Sequence, residues 1–412
     1  MAYAEGGVTA PRGFLASGVC AGLKRSGRRD VALLASERAC SAAAVYTSNA
    51  VVAAPIRVTR EHLLDGTLRA VVGNAGNANA CTGERGISDA RSMAREAAEA
   101  LQVQPTDVAV ASTGVIGVPL PMEMLLPGIR SAAAGLDNAT GDAAAEAIMT
   151  TDTFPKQTGV SVEAQGRRYT IGGMAKGSGM IRPDMATMLA FVTTDAPLTP
   201  EACDAALRAA VDATFNRITV DGETSTNDMA LLMANGAAGG EPIGPRGLAH
   251  EAVAAGVLHA CRELARMIVR DGEGATKTAA VRVRGAASEA DARLAAMAVA
   301  ESPLVKCALF GGDPNWGRVV SAVGASGARV DASAIEVVFG GVTTAKAGAG
   351  VPFDAEEAAS ALAGEEVEIL VDLHVGREEF TALTCDLSYE YVRINAEYDR
   401  LKPSQSSEEA LR

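Results

Sequence analysis

The chain has 412 residues, 48% hydrophobic and 21% charged, which is ordinary globular usage and excludes a fibrous or wholly disordered polymer. Its 37 Lys and Arg stand against 50 Asp and Glu, a formal charge of −13, and only 4% of residues are aromatic. Nucleic acid asks for positive charge and stacking platforms, and an anionic membrane surface asks for positive charge, so neither is expected as a partner.

At about 150 residues per domain the length fits two to three domains or one large α/β unit. No apolar stretch reaches the roughly 18–20 residues needed to span a bilayer, and the first 30 residues lack the basic and apolar regions of a secretory signal. The expected location is the cytoplasm. Seven cysteines with no CxxC pair read as reduced thiols rather than a disulfide scaffold or zinc ribbon. The four histidines, His62, His250, His259 and His374, have no metal-ligand spacing and are expected on helix faces or strands. No metal site is expected, and the usual imidazole base is missing.

In chain order, strand-like runs fall at Val31–Leu34, Ala43–Tyr46, Ala70–Val72, Val108–Ala111, Tyr169–Ile171 and Met188–Val192, then at Ile218–Val220, Ala280–Val283, Ile335–Phe339 and Val367–Val371. Between them lie helical patterns of period 3.6. Asp89–Leu101 places Met93, Ala94, Ala97 and Leu101 on one face. Pro200–Ala213 opens with Thr199 as a cap and Pro200 at the first helical position. Ala249–Val269 is the longest, and Asp354–Leu362 is short with an acidic start. This alternation predicts a mixed α/β or α+β fold. A polar tail, 402–412, is expected to be disordered. Asp221-Gly222-Glu223 and Asp271-Gly272-Glu273 echo each other, but neither carries the ligand series of a calcium loop.

Four segments are denser in Gly, Asn, Thr and Ser than a packed core tolerates: 74–83 (NAGNANACTG), Ser112-Thr113-Gly114, 149–156 (MTTDTFPK) and 172–189 (GGMAKGSGMIRPDMATML). A phosphate loop needs its lysine after the glycines, whereas Lys176 precedes Gly177-Ser178-Gly179. No GxGxxG follows a strand and no GxSxG is present, so no nucleotide cofactor is expected. Thr187 stands at the head of the run Met188–Val192, facing the Gly-rich loop. Alone, that threonine reads most simply as a strand former. As a nucleophile its hydroxyl would need a base, and Asp184 is the only nearby carboxylate in sequence. A base requiring no further residue is the α-amine of Thr187 itself, if the preceding peptide bond were cut. Such an amine titrates near about 7.7–8.0, so nucleophile and base would share one residue.

The chain resembles the glutamate N-acetyltransferases, also called ornithine acetyltransferases, of arginine biosynthesis. The resemblance covers about residues 10–398. It rests on NAGNANACTG (74–83), ASTGVIG (111–117), AIMTTDTFPK (147–156), MAKGSGMIRPDMATML (174–189), TFNRITVDGETSTND (214–228), DGEGATK (271–277), SPLVKCALFGGDPNWGR (302–318) and YVRINAEY (391–398). It implies a layered helix–sheet sandwich built from two intertwined chains, 1–186 and 187–412, after self-cleavage between Ala186 and Thr187. A smaller α/β subdomain is expected near 280–345. It further implies ping-pong acetyl transfer from N-acetylornithine to glutamate on Thr187, without cofactor, in an α2β2 assembly. Acetyl-CoA is a further candidate donor.

By position, Thr187 is the nucleophile and its amine the base. Thr113 and Gly114 form the oxyanion pair, and Thr150 (with Thr151 its nearest competitor), Lys176, Glu273 and Asn395 contact substrate. Lys176 suits an α-carboxylate, and Glu273 the distal amine of ornithine. The family closes after NAEY with a Thr or Ser pair, where this chain has Asp399 and Arg400. The alternatives are an N-terminal-nucleophile amidohydrolase or aminopeptidase, in which water takes the acyl group, and a paralogue serving secondary metabolism.

Overall fold

A computed structural model describes residues 1–182 and 188–397. Asp184, Ala186 and Thr187, together with Asp399, Arg400 and the tail 402–412, lie outside the described residues. The apolar runs assemble into a nine-stranded sheet from β1 (Ala2–Tyr3), β2 (Phe14–Val19), β3 (Val31–Tyr46), β4 (Thr67–Asn77), β5 (Val108–Val115), β6 (Lys156–Ala164), β7 (Arg167–Lys176), β8 (Leu189–Thr194) and β9 (Met229–Ala234). The order is β1-β6-β7-β8-β9-β3-β4-β5, with β2 beside β3. The β4–β5 and β8–β9 pairs are parallel, so two strand ends of like polarity point toward the same region.

The sequence divides β3 into two runs, yet the structure makes it one strand. Its first half pairs with β2 and β4 and its second with β9, across an irregularity between Ala35 and Cys40. The exposed residues Glu37 and Arg38 interrupt the apolar alternation there, which hides the continuity. The bend also swaps partners. Ala32, Leu34, Ala42 and Ala44 share a central core with Phe191, Leu231 and Met233, while Leu33 and Val45 face opposite outer cores. On one outer face lie α1 (Ala54–His62), α2 (Gly83–Leu101) and α3 (Met122–Ala134). On the other lie α5 (Pro200–Ala213) and α6 (Leu248–Arg270), while the short α4 (Gly141–Ala147) packs into the central core. The result is a layered helix–sheet sandwich, mixed α/β as the alternation predicts and layered as the resemblance implies. The Thr199 hydroxyl caps α5, accepting from the Ala202 N–H at 3.3 Å. Ile218–Val220 is not a strand; only Ile218 forms a bridge, to Leu383.

A second sheet holds β10 (Thr278–Ala286), β11 (Glu336–Phe339), β12 (Val342–Lys346), β13 (Ala349–Gly350), β14 (Glu366–Asp372) and β15 (Glu378–Cys385), in the order β13-β12-β11-β14-β10-β15. It shares its core with α7 (Glu289–Glu301), α8 (Pro303–Gly311) and α9 (Trp316–Ala325). The short α10 (Ala355–Ala361) and the final α11 (Tyr389–Ala396) complete the described chain. Among the described residues no single helix is long and apolar enough to cross a membrane.

Candidate active site

The parallel ends of β4 and β5 carry the first half of the site. Thr113 and Gly114 sit at the end of β5, where the pairing with β4 shifts register at Gly76 and Asn77. Gly114 has φ 133, and a Cβ there would drive into the Gly76–Asn77 peptide. Only glycine fits that approach. Three buried asparagines hold it in place. The Asn74 amide donates to the Asn77 carbonyl at 2.9 Å and accepts from the Ser112 hydroxyl at 2.7 Å. Asn77 donates to the Val118 and Pro119 carbonyls at 3.0 and 3.1 Å, and Asn79 donates to the Gly86 carbonyl at 2.9 Å. The NAGNANACTG segment is thus a set of struts: buried amides satisfy loop backbone that would otherwise be left unpaired.

Beneath the second half lies a buried ion network. Lys156 is fully buried, and its ammonium donates to Asp152 at 2.6 Å and Asp271 at 2.5 Å. Asp152 also accepts from the N–H groups of Gly177 at 2.7 Å and Thr150 at 2.9 Å. Asp271 accepts from the Thr153 N–H at 3.0 Å, and its carbonyl takes the Ser178 hydroxyl at 2.6 Å. One lysine therefore locks together the segment of Thr150, the loop after Lys176 and the turn that carries Glu273. Lys176 is buried too. Burial lowers its pKa, and Lys156 adds to this; Asp152, Asp228 and Glu273 counteract it only in part. Burial alone would raise the Asp152 carboxyl, but Lys176, Lys156 and the Gly177 N–H hold it well below the usual carboxylate range.

Glu273 lies at the turn between α6 and β10. Its N–H donates to the Ser178 carbonyl at 3.0 Å, and its carboxylate accepts from the Asn395 amide at 2.7 Å. Asn395 reaches it because the Ser388 hydroxyl, at the start of α11, donates to the Gly274 carbonyl at 2.6 Å. Glu273 and Asn395, 122 residues apart, are therefore direct neighbours.

Thr113, Gly114, Thr150, Thr151, Lys176, Glu273 and Asn395 all line one cavity of about 410 Å³. Met188, the residue after Thr187, lines it as well; Thr187 and Ala186 lie outside the described residues. None of the four histidines lines it; the His62 ring, for example, lies against the Val108 carbonyl at 2.8 Å. A buried lysine, a carboxyl group and the strand end of Thr113 and Gly114 line one small cavity, a concave site with a few convergent polar groups.

A family model described as the ArgJ family matches residues 15–400. The arginine biosynthesis bifunctional protein ArgJ of Symbiobacterium thermophilum is 56% identical over 405 residues, 97% of this chain and 100% of that protein. The chain belongs to the ArgJ family. The protein of the same name from Thermus thermophilus is 52% identical over 392 residues, 95% of this chain and 99% of its own. A solved ArgJ chain from Bacillus halodurans matches 52% of this chain and 100% of its own length, with 45% identity and a TM-score of 0.50.

In this ArgJ-family cavity the sequence reading misses one wall, Ser225-Thr226-Asn227-Asp228. The Asn227 amide donates to the Ala78 carbonyl at 2.6 Å and the Ser112 carbonyl at 2.9 Å, tying this wall to the strand ends beside Thr113 and Gly114. The density of Thr, Ser and Asn in TSTND was the available signal, but it resembles any polar loop. The roles of Asp152, Lys156 and Asp271 were missed as well, although their segments stood out by composition or family resemblance.

Proposed function

We propose that this chain is an ornithine acetyltransferase that passes the acetyl group of N-acetylornithine to glutamate through Thr187. The observation that carries the reading is the convergence of Thr113, Gly114, Thr150, Lys176, Glu273 and Asn395 on one cavity whose lining continues at Met188. In the maturation step the Thr187 hydroxyl oxygen attacks the Ala186 carbonyl carbon. The amide C–N bond breaks, an ester C–O bond forms, and the hydroxyl proton ends on the freed amine. Water then hydrolyses the ester, leaving the Ala186 carboxylate and a free Thr187 hydroxyl. In turnover the α-amine removes the hydroxyl proton as the oxygen attacks the acetyl carbonyl, ornithine leaves with a proton on its nitrogen, and glutamate takes the acetyl group by the reverse route. Thr113 and Gly114 hold the developing oxyanion. A substrate α-carboxylate beside Lys176 favours the charged ammonium that burial disfavours, and Glu273 receives the distal ammonium of ornithine.

The extent of the solved relative supports a mature molecule of two chains, since a complete chain there matches only 52% of this one. An α2β2 assembly in the cytoplasm fits this reading. Acetyl-CoA is a second donor to be assayed, since the relatives named above are called bifunctional. The test is a mass spectrum of the purified protein together with an acetyl-transfer assay. Two chains are expected, the downstream one beginning Thr-Met-Leu-Ala-Phe, and Thr187→Ala should abolish both cutting and transfer. A single uncut chain with full activity would sink the mechanism.

A further inference from the structure

One segment, 219–229, grips the chain on both sides of the bond before Thr187. Upstream, the Asp221 carboxylate accepts from the N–H groups of Met180 at 2.6 Å and Ile181 at 2.9 Å. The Ile181 carbonyl takes the Val220 N–H at 2.7 Å and the Thr219 hydroxyl at 3.1 Å, and the Arg182 carbonyl takes the Thr224 hydroxyl at 2.9 Å. The Arg182 side chain is itself held by Glu301 at 2.6 Å. Met180 has φ 57, a conformation a methionine adopts only when its surroundings over-determine it. Downstream, the Met229 N–H donates to the Met188 carbonyl at 2.9 Å, and β9 pairs with β8 from Leu189 and Met229 onward. Asp221 does not itself line the cavity, although Met180, which it holds, does.

We infer that 219–229 is a two-sided clamp that aligns the bond before Thr187 for self-cleavage, with Asp221 as its positioning residue and Thr224 as a second upstream grip. This rests on the self-cleavage reading above. A hydroxyl attacking the carbonyl of its own preceding residue needs a geometry that an unrestrained loop samples rarely. Fixing both flanks removes competing conformations before the reaction begins. Asp221 takes no proton in the step; both its oxygens are engaged with backbone N–H groups. Because 219–229 lies downstream of the cut, the same contacts keep the new end of the upstream chain attached to the downstream chain.

The test is the rate at which freshly purified precursor converts to two chains, followed on denaturing gels, for wild type, Asp221→Asn, Asp221→Ala, Thr224→Val and Glu223→Gln. Glu223 is an exposed carboxylate on the same turn and serves as the charge control. Removing a charge-assisted grip should slow cutting roughly ten-fold or more in the Asp221 variants, and less in Thr224→Val. Glu223→Gln should cut at the wild-type rate. The kcat per cut chain should stay within about three-fold of wild type, since a purely structural defect would lower cutting and turnover together. Thr224→Val and Asp221→Asn keep the test open if Asp221→Ala does not fold. Wild-type cutting rates in Asp221→Asn and Thr224→Val, or a parallel fall of cutting and kcat, overturn the clamp. Absence of cutting in the wild type instead removes the self-cleavage reading, and the clamp with it.

Discussion

The two sheets bury different things. The core of the second sheet is aliphatic almost throughout: Val281, Val283, Val337, Ile369 and Val371 are sealed against Ala295, Ala296 and Val323 of its helices. Where strands of the large sheet end, the interior instead holds Asn74, Asn77, Asn79, Asp152, Lys156, Lys176, Asp228 and Asp271. Burying polar and charged groups is unfavourable unless every one is paired, so a region packed this way is less stable than an apolar one of equal size. Its persistence marks the place where geometry matters more than stability. The second sheet buries fewer such groups, chiefly Lys306, Thr344, Asp372 and Thr384, and none of its strands lines the cavity, so it reads as scaffold.

The largest effect is expected where that polar interior is broken. Lys156→Met leaves Asp152 and Asp271 facing each other in a dry site and should cost about 3–5 kcal/mol of stability, visible as a steep fall in thermal midpoint along with lost transfer. A stable, active Lys156→Met protein would mean the network is incidental. Next comes Thr113→Ala, which removes a proposed oxyanion donor without touching the asparagine struts. It should lower kcat by about 10²–10³ with little change in midpoint. Wild-type turnover there would move the oxyanion site elsewhere. The smallest effect belongs to the second sheet: Ile369→Val trims a fully buried side chain and should cost about 0.5–1.5 kcal/mol, with kcat per folded molecule unchanged. A loss of turnover in Ile369→Val would show that the two regions are coupled and erase the contrast.

Much of this was readable beforehand where a local rule applied. Pro200–Ala213 starts and stops as its cap and periodicity dictate, and α6 extends the predicted Ala249–Val269 by one residue at each end. Lys176, Glu273 and Thr113 stood out through motif blocks. What could not be read was pairing at long range. Nothing local says that Lys156 meets Asp271, 115 residues away, or that the Asn227 amide ties off carbonyls at Ala78 and Ser112. The two Asp-Gly-Glu turns looked like accidental echoes. In the fold they press on the same loop from two sides, Asp221 at Met180 and Ile181, Asp271 and Glu273 at Ser178. The strand Thr67–Asn77 runs well past the apolar triplet Ala70–Val72, because a parallel neighbour and buried asparagines sustain an extended chain that hydrophobic alternation does not announce.

The strand order has a consequence for renaturation. β8 and β9 lie between β7 and β3 in the sheet, so strands from after Thr187 fill the middle of a sheet whose flanks come from before it. If the bond before Thr187 is cut as proposed, neither piece can close the sheet alone. The uncut precursor refolds as a single molecule, at a rate independent of dilution, whereas the cut protein must recover its partner by collision. Its return from denaturant should therefore slow as it is diluted. Maturation would then turn a reversible folding problem into one governed by the barrier to unfolding, and the mature protein would persist chiefly because it seldom comes apart.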